Sequence, residues 1–332
     1  MIQNIVRRWS GAMGIASFLL FSANASAQND DALKLVYVTH ASASNAFFQA
    51  VRRGMQDACA QVKAQCQMIF SQTEGSVAEQ ASNLQAALAG KPDAIASSIV
   101  DDKAIGSILK QAAKNGVTVI GVTVDSNAPD KNSVREAYIG QNFDVAGYAL
   151  AKQLSTDFPK SGPINVLIGV SAPGQNWSEE RAAGIVRYLV AYKTSNPNRE
   201  ITWKRIDSGT DLAVTAERVG AYLNANTNVT AYVDTGYWDA GVAKSLKDRG
   251  IPPGKILLAG FDIVPDALNG MKSGYIQVHV DQQPYLQGYM PVIEASLIKK
   301  LKLSAFDVNT GDGLVLPNQA GNVLALSMKG YR

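Results

Sequence analysis

Residues 33–62 read LKLVYVTHASASNAFFQAVRRGMQDACAQV, and the change of period inside this stretch decides the fold. Leu33 to Val38 is a short apolar run rich in strand formers, so it reads as a β-strand. A polar loop carrying Ser42, Ser44 and Asn45 follows. From Phe47 the apolar positions Val51, Met55, Ala58 and Val62 recur at three- and four-residue spacing, which predicts an amphipathic helix. The same alternation repeats downstream. Strands are expected at 66–71, 93–99, 117–124, 163–169, 200–206, 229–233, 256–260 and 275–280. Helices fall between them at about 77–89, 103–115, 143–157, 178–194, 211–225, 238–249 and 284–300. Such regular alternation predicts parallel sheets covered by helices on both faces. The number of repeats exceeds what one doubly wound sheet usually holds, so two such α/β sheets side by side are expected, with a single eight-stranded barrel as the competing layout.

The 332 residues are ample for two cores at roughly 100–200 residues each. With 46% apolar and 18% charged residues, the chain as a whole is not disordered. Lys and Arg number 31 against 28 Asp and Glu, an excess too small to mark a nucleic-acid binder. Met1 to Ala27 carries Arg7 and Arg8, an apolar run from Gly11 to Phe21 and then Ala25-Ser26-Ala27, the pattern of a secretory leader removed after Ala27. The apolar run is short of the ~20 residues that span a bilayer. The residues around Arg7-Arg8 fit the twin-arginine route poorly, and no Cys follows the cleavage point to carry a lipid anchor. Loss of the leader takes 31 basic residues to 29 against 28 acidic ones, so the exported chain is nearly neutral.

Export to an oxidising space draws attention to Cys59 and Cys66. On one unbroken helix they would lie ~10 Å apart, too far for a disulfide, so a bond requires the helix to end between them. Gln65 to Phe70 reads as the next strand, which lets Cys66 fold back; a disulfide and two buried thiols both stay open. With no His nearby, the pair makes no case for a metal site.

No P-loop, dinucleotide-binding glycine motif, nucleophile elbow or HExxH zinc motif occurs, and no cofactor is expected. His279 alternates with Val278 and Val280 in a strand and reads as packing, while His40 follows a strand end and is a candidate cleft residue. In open α/β sheets ligands bind beyond the carboxyl ends of the strands. The segments placed there are Thr39 to Phe48, Asp125 to Asn127, Ser171 to Arg181 with Trp177, Asp234 to Trp238, Phe261-Asp262 and Asp281 to Gln283. A carboxylate accepts hydroxyl hydrogens, an Arg donates, an amide does both, and an aromatic face covers the C–H side of a sugar ring. Carboxylates, amides, one Arg and aromatics together are the parts of a site for a neutral polyhydroxylated molecule.

Several of these stretches carry a family pattern. Ser44-Asn45-Ala46-Phe47-Phe48, Asp125-Ser126-Asn127 with Tyr138-Ile139-Gly140, Glu180-Arg181-Ala182-Ala183-Gly184, Gly260-Phe261-Asp262 and the nine residues Asp281 to Tyr289 (DQQPYLQGY) together resemble the periplasmic sugar-binding proteins of ABC importers, the group typified by ribose-binding protein. The resemblance covers the mature length, and the nine-residue match is its most distinctive piece. It implies ligand contacts from Asn45, Phe47, Phe48, Asp125, Arg181, Thr235, Phe261, Asp262 and Gln282. Thr123 is a second candidate for the Asp125 contact, because the preceding strand is two residues long for the pattern. Where ribose binders carry an Asn before an acidic residue, this chain has Asp234-Thr235-Gly236-Tyr237-Trp238, so Tyr237 and Trp238 are candidates for reshaping the pocket. The resemblance further implies two lobes, 28–140 plus 283–309 and 141–282 plus 310–332, joined by crossings near Gly140-Gln141, Gln282-Gln283 and Asn309 to Asp312. They would close by hinge motion on a neutral sugar or polyol.

The expected function is that of a periplasmic monomer that captures a monosaccharide or sugar alcohol and hands it to a membrane permease. A sensory protein of the same fold is an alternative that no sequence feature separates. A less favoured one is an exported carbohydrate enzyme using Asp125 and Asp262 as acid and base. A repressor of related fold is disfavoured, since a leader stands where a DNA-reading helix-turn-helix would be.

Overall fold

In the computed structural model, which describes residues 32–311 and 313–332, the stretch at 33–62 forms strand β1 (Lys34–Ser42), a tight turn and helix α1 (Ala46–Val62). The leader expected at 1–27 lies outside the described residues. Asn45 caps α1, its Oδ1 accepting the Phe47 amide at 3.1 Å and so satisfying one of the donors a helix start leaves free. The chain continues through β2 (Gln65–Ser71), α2 (Val77–Ala89), β3 (Ala94–Ser97), α3 (Ser107–Lys114), β4 (Thr118–Thr123) and β5 (Ala137–Gly140). These strands pair in parallel, and the middles of the central ones are apolar because helices cover both faces: Val119, Ile120 and Val122 of β4 are all fully buried.

A second sheet repeats the plan with β6 (Ile164–Val170), β7 (Ile201–Asp207), β8 (Ala231–Asp234), β9 (Leu257–Phe261) and β10 (Ile276–Asp281). Helices α4 (Phe143–Leu154), α5 (Asn176–Ser195), α6 (Leu212–Ala225), α7 (Asp239–Asp248) and α8 (Pro265–Lys272) lie between and before these strands. After α9 (Pro284–Leu301) two short strands, β11 (Val308–Asn309) and β12 (Gly313–Val315), add one to each sheet, and α10 (Pro317–Met328) follows. The sheet orders are β11-β5-β4-β3-β1-β2 and β12-β10-β9-β8-β6-β7, the same order in both lobes. Only the outermost pair departs from symmetry, β11 running parallel to β5 and β12 antiparallel to β10. Two doubly wound sheets, not a barrel, are what the repeats build.

The chain passes between the sheets three times: between β5 and α4, between β10 and α9, and between β11 and β12. Glutamines stitch the crossings together. Gln141 Nε2 donates to the Gly311 carbonyl at 2.9 Å, Gln283 Nε2 to the Thr310 carbonyl at 2.8 Å, and Gln287 Nε2 to Thr310 Oγ1 at 3.0 Å. In the second lobe α4 packs on α5 with Gly147 and Gly184 at the crossing, where a Cβ on either would strike the other helix's backbone. The glycine of Glu180-Arg181-Ala182-Ala183-Gly184 thus seats the helix that carries Arg181.

At the end of α1, Lys63 takes a left-handed conformation (φ 57°) and turns the chain back, so that Cys66 enters β2 beside the helix end. Its sulfur is bonded to that of Cys59, with the two Cα atoms 6.2 Å apart. Five elements went unread in the sequence: β5, β11, β12, α8 and α10. The strands have two to four residues, too few for a period to register, and α8 has only eight.

Candidate functional site

The carboxyl ends of the two sheets face each other across one cavity. The first lobe lines it with His40 from β1, Asn45, Phe47 and Phe48 at the start of α1, Glu74 after β2, and Thr123-Val124 at the end of β4. The second lobe adds Phe143, Trp177 and Arg181 from α4 and α5, Gly236-Tyr237-Trp238 after β8, and Asp262 after β9, with Gln282 at the crossing. The cavity measures about 50 Å³, which at roughly 10–15 Å³ per water centre is room for about four waters. Larger depressions, such as that bounded by Leu33, Asp93 and Thr118, open at the amino ends of the strands, where this fold does not place ligands.

Arg181 is the cation of the site, and only 3% of it is exposed. Its Nη1 donates to the Thr235 carbonyl at 2.8 Å and its Nη2 to Gln141 Oε1 at 3.3 Å, while its guanidinium carbon stands 4.1 Å from the Phe261 ring centroid and 4.8 Å from that of Phe143. Burial lowers its pKa to about 10, opposed by the nearby Asp262 carboxylate, so it stays charged at neutral pH. Its Nε has no partner among the described residues. Asp262 is pushed above the ordinary carboxylate range by burial, with Arg181 and the Gln282 amide pulling the other way. Gln282 Nε2 donates to Asp262 Oδ1 at 2.5 Å.

Thr123, the last residue of β4, and Asp262, the residue just after β9, follow strands at the same place in the two sheet orders, and both take positive φ, 61° and 68°. For a β-branched residue that is a true outlier, and strain of this kind persists where surrounding structure enforces it. Thr123 Oγ1 is buried without a partner among the described residues, which leaves an unsatisfied hydroxyl beside the cavity, costly unless something enters to meet it.

The first-lobe wall is more fully bonded within itself. Asn45 gives its Oδ1 to the α1 cap and one Nδ2 hydrogen to Glu74 Oε1 at 2.7 Å, leaving one amide hydrogen. Glu74 Oε2 accepts the Ser42 amide at 2.8 Å. His40 Nδ1 lies 2.8 Å from Ser98 Oγ, its ring meets Phe48 edge-on, and burial lowers its pKa to about 4, so it is neutral at pH 7. Trp177 is held by its Nε1 bond to Gln175 Oε1 at 2.7 Å, and Tyr237 stacks on Trp238 with centroids 4.7 Å apart.

Three residues expected to touch ligand do not line the cavity. Asp125 turns away, its carboxylate bridged to Arg135 Nε and Nη2 at 2.9 and 2.8 Å and to Lys131 Nζ at 3.1 Å; Thr123, with the extra strand length, takes its place. Thr235 is fully buried, with its hydroxyl among Ser171 and Ser178 and only its carbonyl working for the site, through Arg181. Phe261 is fully buried behind the guanidinium it supports. Asp125 and Asp262 therefore do not present a paired acid and base to one cavity. Conversely, Glu74 and Phe143 line the cavity and were not anticipated. Glu74 follows the end of β2, so the strand-end rule applied to that loop would have found it; Phe143 opens α4 just past a crossing and carries no local signal. Among the described residues no group of His, Cys, Asp and Glu is placed to hold a metal ion, and no helix is long and apolar enough to cross a membrane.

Residues 36–298 match the family described as periplasmic binding protein domain. The chain belongs to that family. Family members resemble it along nearly the whole described length. A xylose/arabinose-binding protein of Sulfolobus acidocaldarius is 24% identical over 296 residues, covering 85% of this chain and 70% of that protein. An ABC transporter solute-binding protein from Burkholderia graminis, solved with D-arabinose, is 25% identical with a TM-score of 0.74, covering 86% of this chain and 96% of that one. A carbohydrate transporter solute-binding protein from Agrobacterium radiobacter, also in complex with D-arabinose, is 25% identical with a TM-score of 0.76, covering 89% and 98%. Membership implies a periplasmic or extracellular place of work.

Proposed function

We propose that this protein, exported with loss of its leader after Ala27, captures one neutral monosaccharide of about pentose size between its lobes and delivers it as a monomer to an ABC permease. The observation that carries this reading is the unmet bonding capacity in an aromatic-lined cavity: Thr123 Oγ1 and Arg181 Nε are buried and, among the described residues, unpartnered, and the Asp262 carboxylate lines the same cavity. Arg181 faces Asp262, and the second carboxyl group of the lining, Glu74, is already bonded to Ser42 and Asn45, so an anionic ligand would share one guanidinium with two carboxyl groups, whereas a neutral one needs no further charge. Hydroxyls meet both needs, accepting from Arg181 and Thr123 and donating to Asp262. Phe47, Phe48, Trp177 and Trp238 supply faces for the apolar side of a ring. The small cavity, about 50 Å³, favours a single small sugar over a disaccharide. Pentose binding by the arabinose-complexed and xylose/arabinose-binding relatives supports the same size class.

A thermal-shift screen over pentoses, hexoses, sugar alcohols and inositols, followed by calorimetry and recovery of the ligand, tests the reading. The expected result is a raised melting temperature with one or a few neutral pentoses, recovered unchanged. Binding confined to sugar phosphates, or chemical conversion of the bound sugar, would overturn it.

A further inference from the structure

Beneath Asp262 lies a buried pair that does not line the cavity. His279, in the middle of β10, and Asp239, the first residue of α7, are both fully buried. His279 Nε2 is 2.9 Å from Asp239 Oδ2, and its Nδ1 is 2.6 Å from the main-chain carbonyl oxygen of Asp262. Room for the pair comes from Gly260, where a Cβ would stand 2.8 Å from Asp239 Oδ1 and 2.9 Å from His279 Nε2. The same Cβ would stand 2.6 Å from the Gly236 carbonyl oxygen, so the first residue of Gly260-Phe261-Asp262 is small to clear both that carbonyl and the pair.

Proton accounting gives this pair a role. A carbonyl oxygen only accepts, and an ionised carboxylate only accepts, so each ring nitrogen faces an acceptor. A neutral imidazole has one hydrogen and would leave a lone pair against one of the two oxygens. Protonated, it donates to both. The Asp262 carbonyl it holds belongs to a residue at φ 68° whose amide donates to the Val280 carbonyl at 2.8 Å, so both main-chain groups of the strained residue are tied to β10. We propose that protonated His279, paired with Asp239, is the positioning residue that holds Asp262 in its left-handed conformation and so aims its carboxylate into the cavity. The proposal rests on the sugar-binding reading only for its effect on affinity.

The charged groups around the pair are Asp262 at the end of β9, Asp234 at the end of β8 acting on Asp239, and Arg181 from α5 facing Asp262 and Asp234. Asp281 on the same strand also acts on Asp262, and Val315 of β12, opposite His279, is apolar. Burial disfavours the imidazolium, but Asp239 and the Asp262 carbonyl outweigh it, and the net direction is upward from 6.5. The proton is then lost, and Asp262 released, as pH rises through that raised value.

The variants separate positioning from mere packing. In Asp239→Asn an amide hydrogen can donate to Nε2 while Nδ1–H keeps the Asp262 carbonyl, so the bond survives with a neutral ring. The test measures ¹⁵N shifts of His279 and the ¹³C shift of the Asp262 carbonyl in ligand-free protein across pH 6–10, with D-arabinose affinity alongside. We expect both ring nitrogens protonated at pH 6.5, the Asp262 carbonyl moving with the same midpoint as the ring, affinity falling at least tenfold above it, and Asp239→Asn binding within about threefold of wild type with that fall abolished. His279→Leu, if it folds, should bind at least tenfold more weakly at pH 6.5. A singly protonated ring at pH 6.5, or a carbonyl that does not move with it, overturns the proposal. If D-arabinose and the other neutral sugars fail to bind wild type while ring and carbonyl titrate together, the sugar reading falls and the positioning role stands.

Discussion

The guanidinium carbon of Arg181 lies 4.1 Å from the ring centroid of Phe261, a residue with no exposed surface and no place in the cavity wall. A cation over an aromatic face is held by ~0.5–2 kcal/mol, and here the fully buried ring also covers one side of the guanidinium. Arg181→Ala should weaken sugar binding at least tenfold, about 1.4 kcal/mol. Phe261→Leu should weaken it by less, through a guanidinium free to tilt, and should also lower the melting temperature. Calorimetry paired with thermal unfolding separates the two; wild-type affinity in Phe261→Leu would show that the ring only packs.

Asp125 and Thr123 make opposite predictions. Asp125 binds Arg135, whose side chain is 2% exposed and whose other partner is Asp307. Removing Asp125 leaves part of a buried guanidinium unmet, at a cost of about 1–3 kcal/mol in stability, while affinity should stay within about twofold. Thr123→Val should do the reverse: it removes an unpartnered buried hydroxyl, leaving the free protein as stable or more so, but it deprives the ligand of a partner and should weaken binding several-fold. Calorimetry and denaturant unfolding on both variants decide the assignment.

How far the site was legible depends on what each residue signals locally. Arg181, Asp262 and Gln282 sit in motifs that a strand end makes visible. Asp125 misled because a carboxylate after a strand reads the same whether it faces a cleft or an arginine ten residues later; only β5, a four-residue strand with no period of its own, brings Arg135 round to it. Thr235 and Phe261 are chain neighbours of the cavity-lining Gly236 and Asp262 but do not line the cavity themselves, since adjacent residues at a strand end point to opposite sides. His279 read as packing because its strand neighbours are valines; that its two nitrogens meet Asp239 and Asp262 depends on pairings 40 and 17 residues away.

Asp234 sets a pH dependence of its own. Burial, aided by Asp239, raises its pKa from 3.8 to about 6. Between those values the folded state holds a proton that the unfolded chain has released, so stability falls as pH rises through this window and the ionised form costs stability above it. Asp262 and Asp281 are shifted in the same direction, also by burial first. Buried His40, lowered to about 4, contributes the opposite slope over the same range, so the Asp234 effect is read as a difference between proteins. Asp234→Asn should raise the melting temperature of the ligand-free protein more at pH 7.5 than at pH 5.5, relative to wild type. An equal change at both pH values contradicts the assignment.

The Cys59–Cys66 bond closes a short loop at the far end of α1 from Asn45, Phe47 and Phe48. A closed loop this short constrains the unfolded chain by about 2.5 kcal/mol in the chain-entropy account. Reduction, or the double change Cys59→Ala with Cys66→Ala, should lower thermal stability with affinity unchanged. Loss of affinity would mean that the bond holds the start of α1 as well as its end.

The lips of the cleft carry the last prediction. Gln175 Nε2 donates to the Gly75 carbonyl at 3.1 Å and Asn176 Nδ2 to the Ile99 carbonyl at 3.3 Å, both from the second lobe to the first. Trp177 and Trp238 pack in one cluster with Val38, Ile99 and Val124 of the first lobe. These contacts can exist only while the lobes are together, and the crossings that would have to bend carry glutamine bonds, not packed core. Ligand and lip bonds thus favour the same closed state, and a neutral hydrogen bond contributes about 0.5–1.5 kcal/mol to it. Gln175→Ala with Asn176→Ala should speed sugar release several-fold and leave association nearly unchanged, because association starts from the open form. Small-angle scattering should show the radius of gyration falling when sugar is added to wild type, and an unchanged radius would rule out hinge closure.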